Sequence, residues 1–272
     1  MTTSNNLPIE AFVWIWLPGE TQPVVAGRLV ADNNQYFFNY GQTYLNRTNA
    51  ISIYPGELPL RPGVLENLKG LNMPSCLRDA SPDAWGRRVI INKKFGLKKS
   101  EADLDQLDEI TYMLESGSDR IGALDFQVSA TEYVPRQVEH ASLEELITSA
   151  ERVEAGIPLT PELDRALHHG SSIGGARPKA LIDSGKKKYI AKFSSSSDVY
   201  NVVKGEFIAM RLAQYAGINV APVTLTQSSN KDVLLIERFD RIYDEDGWKR
   251  KAMVSALTLL GLDEMMARYA SY

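Results

Sequence analysis

Between residues 179 and 237 the chain reads strand, turn, strand, helix, strand, turn, strand, and that order leaves few folds open. Residues 179–183 and 188–193 are apolar-rich runs on either side of Ser184-Gly185-Lys186, a hairpin signal. Residues 206–217 place Phe207, Met210, Arg211 and Ala213 around an apolar stripe, with Gly217 at the stop position of a helix. Residues 220–226 and 232–237 are strand-like around Ser228-Ser229-Asn230. Two hairpins joined through one helix predict an antiparallel sheet with a single main helix.

Four groups within and beside this block bear chemistry. The first is Ser171-Ser172-Ile173-Gly174-Gly175-Ala176-Arg177-Pro178-Lys179. Paired glycines let backbone N–H groups approach a phosphate closely, although Gly-Gly alone is most often a turn. The second is Lys192, on a strand between apolar neighbours, where kinases hold a phosphate-pairing lysine. An edge lysine with its amine in water is the blander explanation. The third is Glu206, early in the following helix and placed to pair with that lysine, or to sit at the positive end of the helix dipole. The fourth is Val233-Leu234-Leu235-Ile236-Glu237-Arg238-Phe239-Asp240-Arg241. An apolar strand running into Glu-x-Phe suits the backbone hinge that grips an adenine, or else ends in a solvated charge cluster. The order of the four is that of the small lobe of a kinase.

The first half has a different texture. Residues 12–17, 23–29 and 35–40 read as strands, with Pro18-Gly19 and Asp32-Asn33-Asn34 as turns. A short helical turn is expected at 65–69. A helix opening on Ser81 as cap with Pro82 in its first position is expected next, and another over 104–114 ended by Ser116-Gly117-Ser118. Residues 121–128 read as a strand. Ser142-Leu143-Glu144-Glu145 is a capping box that opens a helix to about Val153. Residues 252–269 read as helical with a break near Gly261, and Leu257, Leu259, Leu260, Leu262, Met265 and Met266 there are expected to expose apolar surface.

Composition narrows the function classes. With 44% apolar and 24% charged residues and a net charge of -4, the chain has the balance of a folded domain. It lacks the basic excess of a nucleic-acid or membrane-surface binder, so direct nucleic-acid binding is not expected. A lone cysteine, Cys76, excludes an internal disulfide. His140 and the adjacent His168 and His169 have no metal-ligand spacing, so no metal site is predicted. No secretory signal and no membrane-length apolar run is evident, and a cytoplasmic location is expected.

Taken together, Ser172-Ile-Gly-Gly-Ala-Arg-Pro-Lys179, Ala191-Lys192-Phe193 and Glu237-Arg-Phe-Asp-Arg241 resemble the HipA family of serine/threonine kinase toxins. Ser81-Pro-Asp-Ala-Trp-Gly-Arg-Arg88 and the early strands with Gly27, Tyr40 and Tyr44 resemble the N-terminal region of that family, so the likeness spans nearly the whole chain.

The resemblance implies an α+β fold: a β-rich N-terminal subdomain (1–130), a helical linker (131–165), a kinase-like small lobe (166–247) and the start of a helical large lobe (248–272). It implies ATP as cofactor, held by Ile173, Gly174, Gly175 and Lys192, with Glu237 and Phe239 as the adenine hinge. Ser172, or Ser171, would be the autophosphorylation site, where a phosphate adds about -1.5 to -2 charge. A HipB-type helix-turn-helix antitoxin and a protein substrate from the translation machinery are the partners it implies.

The family's catalytic loop and metal-binding aspartate have no counterpart after Arg241; Asp263 and Glu264 match neither. No catalytic residue is therefore assigned, magnesium is expected only with a complete large lobe, and the sequence is read as truncated, split or cut. The other readings are an inactive antitoxin- or nucleotide-binding module and an ATP-grasp-like fold. The early strands and the Trp85-Gly86-Arg87-Arg88 segment count against the last.

Overall fold

The computed structural model describes residues 8–95, 107–136, 141–160, 162–164, 175–263 and 265–266. In chain order these residues form β1 (Glu10–Ile15), β2 (Val24–Asp32), β3 (Gln35–Tyr40), α1 (Gln42–Leu45), β4 (Val64–Leu65), α2 (Ser75–Arg78), α3 (Ala84–Phe95), α4 (Glu109–Glu115), β5 (Leu124–Gln127) and α5 (Leu143–Glu154). They continue with β6 (Lys179–Ser184), β7 (Lys187–Phe193), α6 (Val202–Tyr215), β8 (Val223–Ser228), β9 (Lys231–Glu237), β10 (Arg241–Asp244), β11 (Gly247–Arg250) and α7 (Ala256–Leu260). The result is a mixed α/β fold built on antiparallel sheets.

The first sheet has the order β4-β3-β2-β1-β5. Asn33 and Asn34 both take positive φ, 49° and 63°, which supplies the tight β2–β3 turn whose twist suits an antiparallel pair. Alternation along β1 and β3 sends Val13, Ile15, Phe38 and Tyr40 into a core shared with Leu29, Leu77, Met113 and Phe126. The Tyr40 hydroxyl donates to the Leu58 carbonyl at 2.8 Å, so the buried ring carries no unmet polar group.

The second sheet has the order β6-β7-β9-β8, and α6 connects β7 to β8. Its two faces do different work. Ala180, Ala191, Phe193 and Val233 point to the back, where they pack on Trp85 and Val89 of α3 and on Leu146, Ile147, Ala150 and Val153 of α5. The Trp85 indole donates to the Lys179 carbonyl at 3.0 Å and ties α3 to the sheet edge. The front face carries Lys192, Ile190 and Ile236. Segment 131–165, expected as a helical linker, contributes α5 to the second core, and the division expected at 247/248 falls inside β11.

Several local expectations are corrected. Residues 65–69 form no helical turn: Val64 and Leu65 pair with Asn39 and Phe38 as a short edge strand. The helix after Ser81 begins at Ala84, and Ser81 is no cap, because its hydroxyl donates to Glu109 instead. The helix expected over 104–114 is described from Glu109, capped by Asp108, whose carboxylate accepts the Thr111 N–H; residues 104–106 lie outside the described residues. The strand expected over 121–128 is confined to Leu124–Gln127. Helix α6 starts before Glu206 because the Asn201 side chain accepts the Lys204 N–H and caps an earlier turn. Residues 252–254 are not helical; α7 begins after Ser255, whose side chain caps it, and ends at Gly261 with φ 64°. The hairpin β10–β11 has no counterpart in the expected elements.

Candidate functional site

A cavity of about 350 Å³ lies between the front of the second sheet and the edge of the first, within the range of small-ligand sites. Lys179, Ile190, Lys192 and Ile236 form one wall, Ile15 and residues 121–124 the opposite wall, and Ala252, Met253, Val254 and Ser255 a third. The lining is mainly apolar; its charged side chains are the two lysines and Asp79, whose carboxylate is engaged by the Ser255 N–H and the Thr258 hydroxyl.

Their convergence follows from register. Lys179 on β6 and Lys192 on β7 are directly paired across the ladder, and paired residues in adjacent strands project from the same face. Lys192 Nζ donates to Glu206 Oε1 of α6 at 2.5 Å, in a partly exposed ion pair. Among the described residues Lys179 has no hydrogen-bonded carboxylate of this kind. It is 3% exposed, and its ammonium makes no hydrogen bond. Burial pushes its pKa down to about 8; the Asp83 carboxylate opposes this, and the nearby Lys192 and Arg88 charges add to it. A buried ammonium with no hydrogen-bond acceptor is costly to a folded chain, which is the cause of its lowered pKa.

Gly175 completes this corner. Its φ is +110°, a backbone conformation that glycine supplies, and a Cβ there would lie 2.6 Å from Lys179 Nζ, so the chain passes close beside the ammonium. Two residues on, Arg177 pairs with both carboxylate oxygens of Asp198, just before α6. Ser171, Ser172, Ile173 and Gly174 lie outside the described residues, as do His140, His168, His169 and Glu264.

The expected hinge residues are placed differently. Glu237 and Phe239 do not line the cavity; Ile236 does. Alternation along β9 turns Ile236 to the front and Glu237 away, where its carboxylate takes the Lys187 ammonium at 2.6 Å and its N–H donates to the Pro222 carbonyl. Phe239 is 58% exposed. The neighbouring Arg238, Asp240 and Arg241 are buried rather than solvated, and they bond to residues 119–122.

Lys179 is the site residue that the sequence reading left unassigned. Its signal was present: it faces Lys192 across a hairpin of known turn, and one step of register counting pairs them. Asp263, weighed as a late acid, accepts the Met266 N–H at 2.8 Å. Among the described residues no cluster of three or more His, Cys, Asp or Glu side chains could hold a metal ion. Among them, too, no helix is long and apolar enough to cross a membrane.

Comparison with known proteins bears on both sheets. The family model for the HipA N-terminal domain matches residues 15–127, and that for the HipA-like C-terminal domain matches residues 171–272. A serine/threonine-protein kinase toxin HipA of Shewanella oneidensis is 35% identical over 100 residues, a match covering 33% of this chain and 23% of that protein. A solved complex of HipA, HipB and operator DNA from Shewanella oneidensis MR-1 superposes with a TM-score of 0.57 at 22% identity. That superposition covers 96% of this chain and 59% of the solved one, and at this identity it speaks to fold alone.

Proposed function

The chain belongs to the HipA-type family, and on that premise we propose that it is a toxin-antitoxin component whose second sheet is a kinase-like small lobe that grips ATP. The observation that carries this is the pair of opposed lysines on one cavity wall, one tied to a helix glutamate and the other buried with no hydrogen-bonded acceptor among the described residues. An anionic tail bound between them supplies the acceptor that Lys179 lacks and screens the repulsion between the two ammoniums. The apolar remainder of the cavity suits a purine face. Ile236, rather than Glu237 or Phe239, supplies the side chain at the hinge end.

In this reading residues 173–175 cover the phosphates and Ser172, or Ser171, accepts phosphate as a switch. Phosphoryl transfer needs more than this grip: carboxylates that hold magnesium and a group that orients the acceptor hydroxyl. The chain's own residues do the gripping, so these 272 residues are proposed to bind nucleotide and to transfer phosphate only with a catalytic loop and a magnesium-holding aspartate. The solved neighbour is a complex with HipB, and we propose a helix-turn-helix antitoxin of that type as the partner of this chain. A translation-factor substrate is proposed on family grounds, as is a cytoplasmic location.

The test is titration of the purified chain with a fluorescent trinitrophenyl-ATP analogue, with ATP as competitor. Saturable binding displaced by ATP supports the reading, and absence of binding at millimolar nucleotide overturns it.

A further inference from the structure

The cavity's three walls come from segments far apart in sequence, and one cluster of buried charge touches all of them. Asp119 is at its centre, 16% exposed at the side chain. Its carboxylate accepts Lys188 Nζ at 2.9 Å and Arg241 Nη2 at 2.8 Å, and lies 3.1 Å from Arg238 Nη1. Asp240 faces the same two arginines and also accepts the Gly122 N–H at 2.8 Å. Lys188 also pairs with Asp183 at 3.2 Å, so three cations face three carboxylates, and Asp119 is the one that meets all three cations.

Each partner leads into a different wall. Lys188 stands on β7 two residues before Ile190 and four before Lys192, on the same strand face. Arg238 and Arg241 follow Ile236 at the end of β9. Asp119 precedes residues 121–124, and the Lys251 N–H donates to the Asp240 carbonyl at 3.0 Å just before residues 252–255. At Gly122, with φ +76°, a Cβ would lie 3.3 Å from the Met253 Cβ, so two of the walls are in close contact there.

We propose that Asp119 is a positioning residue for the nucleotide cavity, setting the separation between the lysine-bearing strand and the two facing walls through Lys188, Arg238 and Arg241. It touches no ligand itself. The proposal rests on reading the cavity as the nucleotide site. Losing its charge leaves Asp240 alone to face both buried arginines and leaves Lys188 only Asp183, so nothing ties the lysine-bearing strand to the arginines and the segments that carry the walls separate.

The experiment uses the full chain and three variants, Asp119→Asn, Lys188→Met and Lys188→Arg. Hydrogen–deuterium exchange is measured without ligand, and trinitrophenyl-ATP affinity is measured alongside. Lys188→Met keeps both buried arginines paired with both carboxylates, so it separates positioning from folding if Asp119→Asn fails to fold. Expected for the first two are faster exchange confined to residues 120–124, 188–192 and 236–241, unchanged protection in the β2–β3 hairpin, and at least tenfold weaker analogue binding. Lys188→Arg, which keeps the charge, restores binding. Affinity within twofold of wild type in folded Asp119→Asn and Lys188→Met overturns the proposal, as does exchange that rises evenly through β2 and β3. If the walls respond but the wild-type chain binds no analogue, the positioning of the walls stands and the nucleotide reading fails.

Discussion

Lys179 and Lys192 occupy opposite sides of one ladder rung, yet they make different demands on the fold. Lys192 is satisfied by Glu206 in a partly exposed pair, which contributes at most about 1 kcal/mol. Lys192→Met is therefore expected to leave the thermal midpoint nearly unchanged while removing nucleotide binding. Lys179 is buried and its ammonium makes no hydrogen bond among the described residues, so Lys179→Met is expected to raise stability, by about 1–3 kcal/mol, while weakening binding. That opposite movement separates a functional lysine from a structural one. The pH dependence has a definite sign. The folded pKa of Lys179 is about 8, below the unfolded value of 10.5, so the unfolded chain holds more protons between these limits and stability rises with pH across that window. The rise is about 3 kcal/mol at most. Chemical denaturation from pH 7.5 to 10.5 should show the rise in wild type and lose it in Lys179→Met.

At the scale of elements, much was legible because local chemistry decided it. The Asn33-Asn34 and Ser229-Asn230 turns take the positive φ that their composition announces, and β3 spans the residues that alternation marks out. The Ser142–Glu145 capping box forms on both sides, and α5 begins where it says. Ser142→Ala is expected to cost about 1 kcal/mol in urea unfolding, since it strips the cap from a helix that packs on the second sheet. Gly27→Ala is expected to cost more, about 3 kcal/mol or above, because its Cβ would lie 2.1 Å from the Asn39 carbonyl oxygen and neither strand can yield. Soluble yield and the thermal midpoint report the loss. Other elements were hidden for identifiable reasons. β10 and β11 are four residues each, carry Arg241, Asp244, Lys249 and Arg250, and flank a Glu245-Asp246 turn, so no sustained apolar alternation betrays them. The start of α3 was misplaced because Ser81 has a tertiary partner, Glu109, that outcompetes local capping. The Lys192–Glu206 contact was readable from element order, whereas Glu237 and Phe239, expected at the hinge from motif likeness, do not line the cavity because the period-2 phase turns Ile236 to the front and Glu237 away.

For the molecule as a whole, the hidden information is long-range. The helices α3 and α5 precede the second sheet in sequence and cover its back, and nothing in their own residues names that partner. The Asp119 cluster joins residues more than a hundred positions apart, and its arginines read locally as a solvated strand end. The described surface also carries uncovered apolar side chains. Ile208, Leu212 and Tyr215 follow one another at helical spacing on α6, and Leu259, Leu260, Met265 and Met266 are exposed near α7. The chain is accordingly expected to bind a hydrophobic dye and to associate with rising concentration, as followed by light scattering. A dispersed, dye-free monomer would contradict that expectation.

The cavity's role turns on the two lysines acting on one ligand. Equilibrium titration of wild type, Lys192→Met and Lys179→Met with trinitrophenyl-ATP, at matched folding by circular dichroism, is the most direct measurement. Saturable, ATP-displaceable binding in wild type that both substitutions weaken at least tenfold is the predicted result. Binding that persists unchanged in both variants, or that wild type never shows, would contradict it.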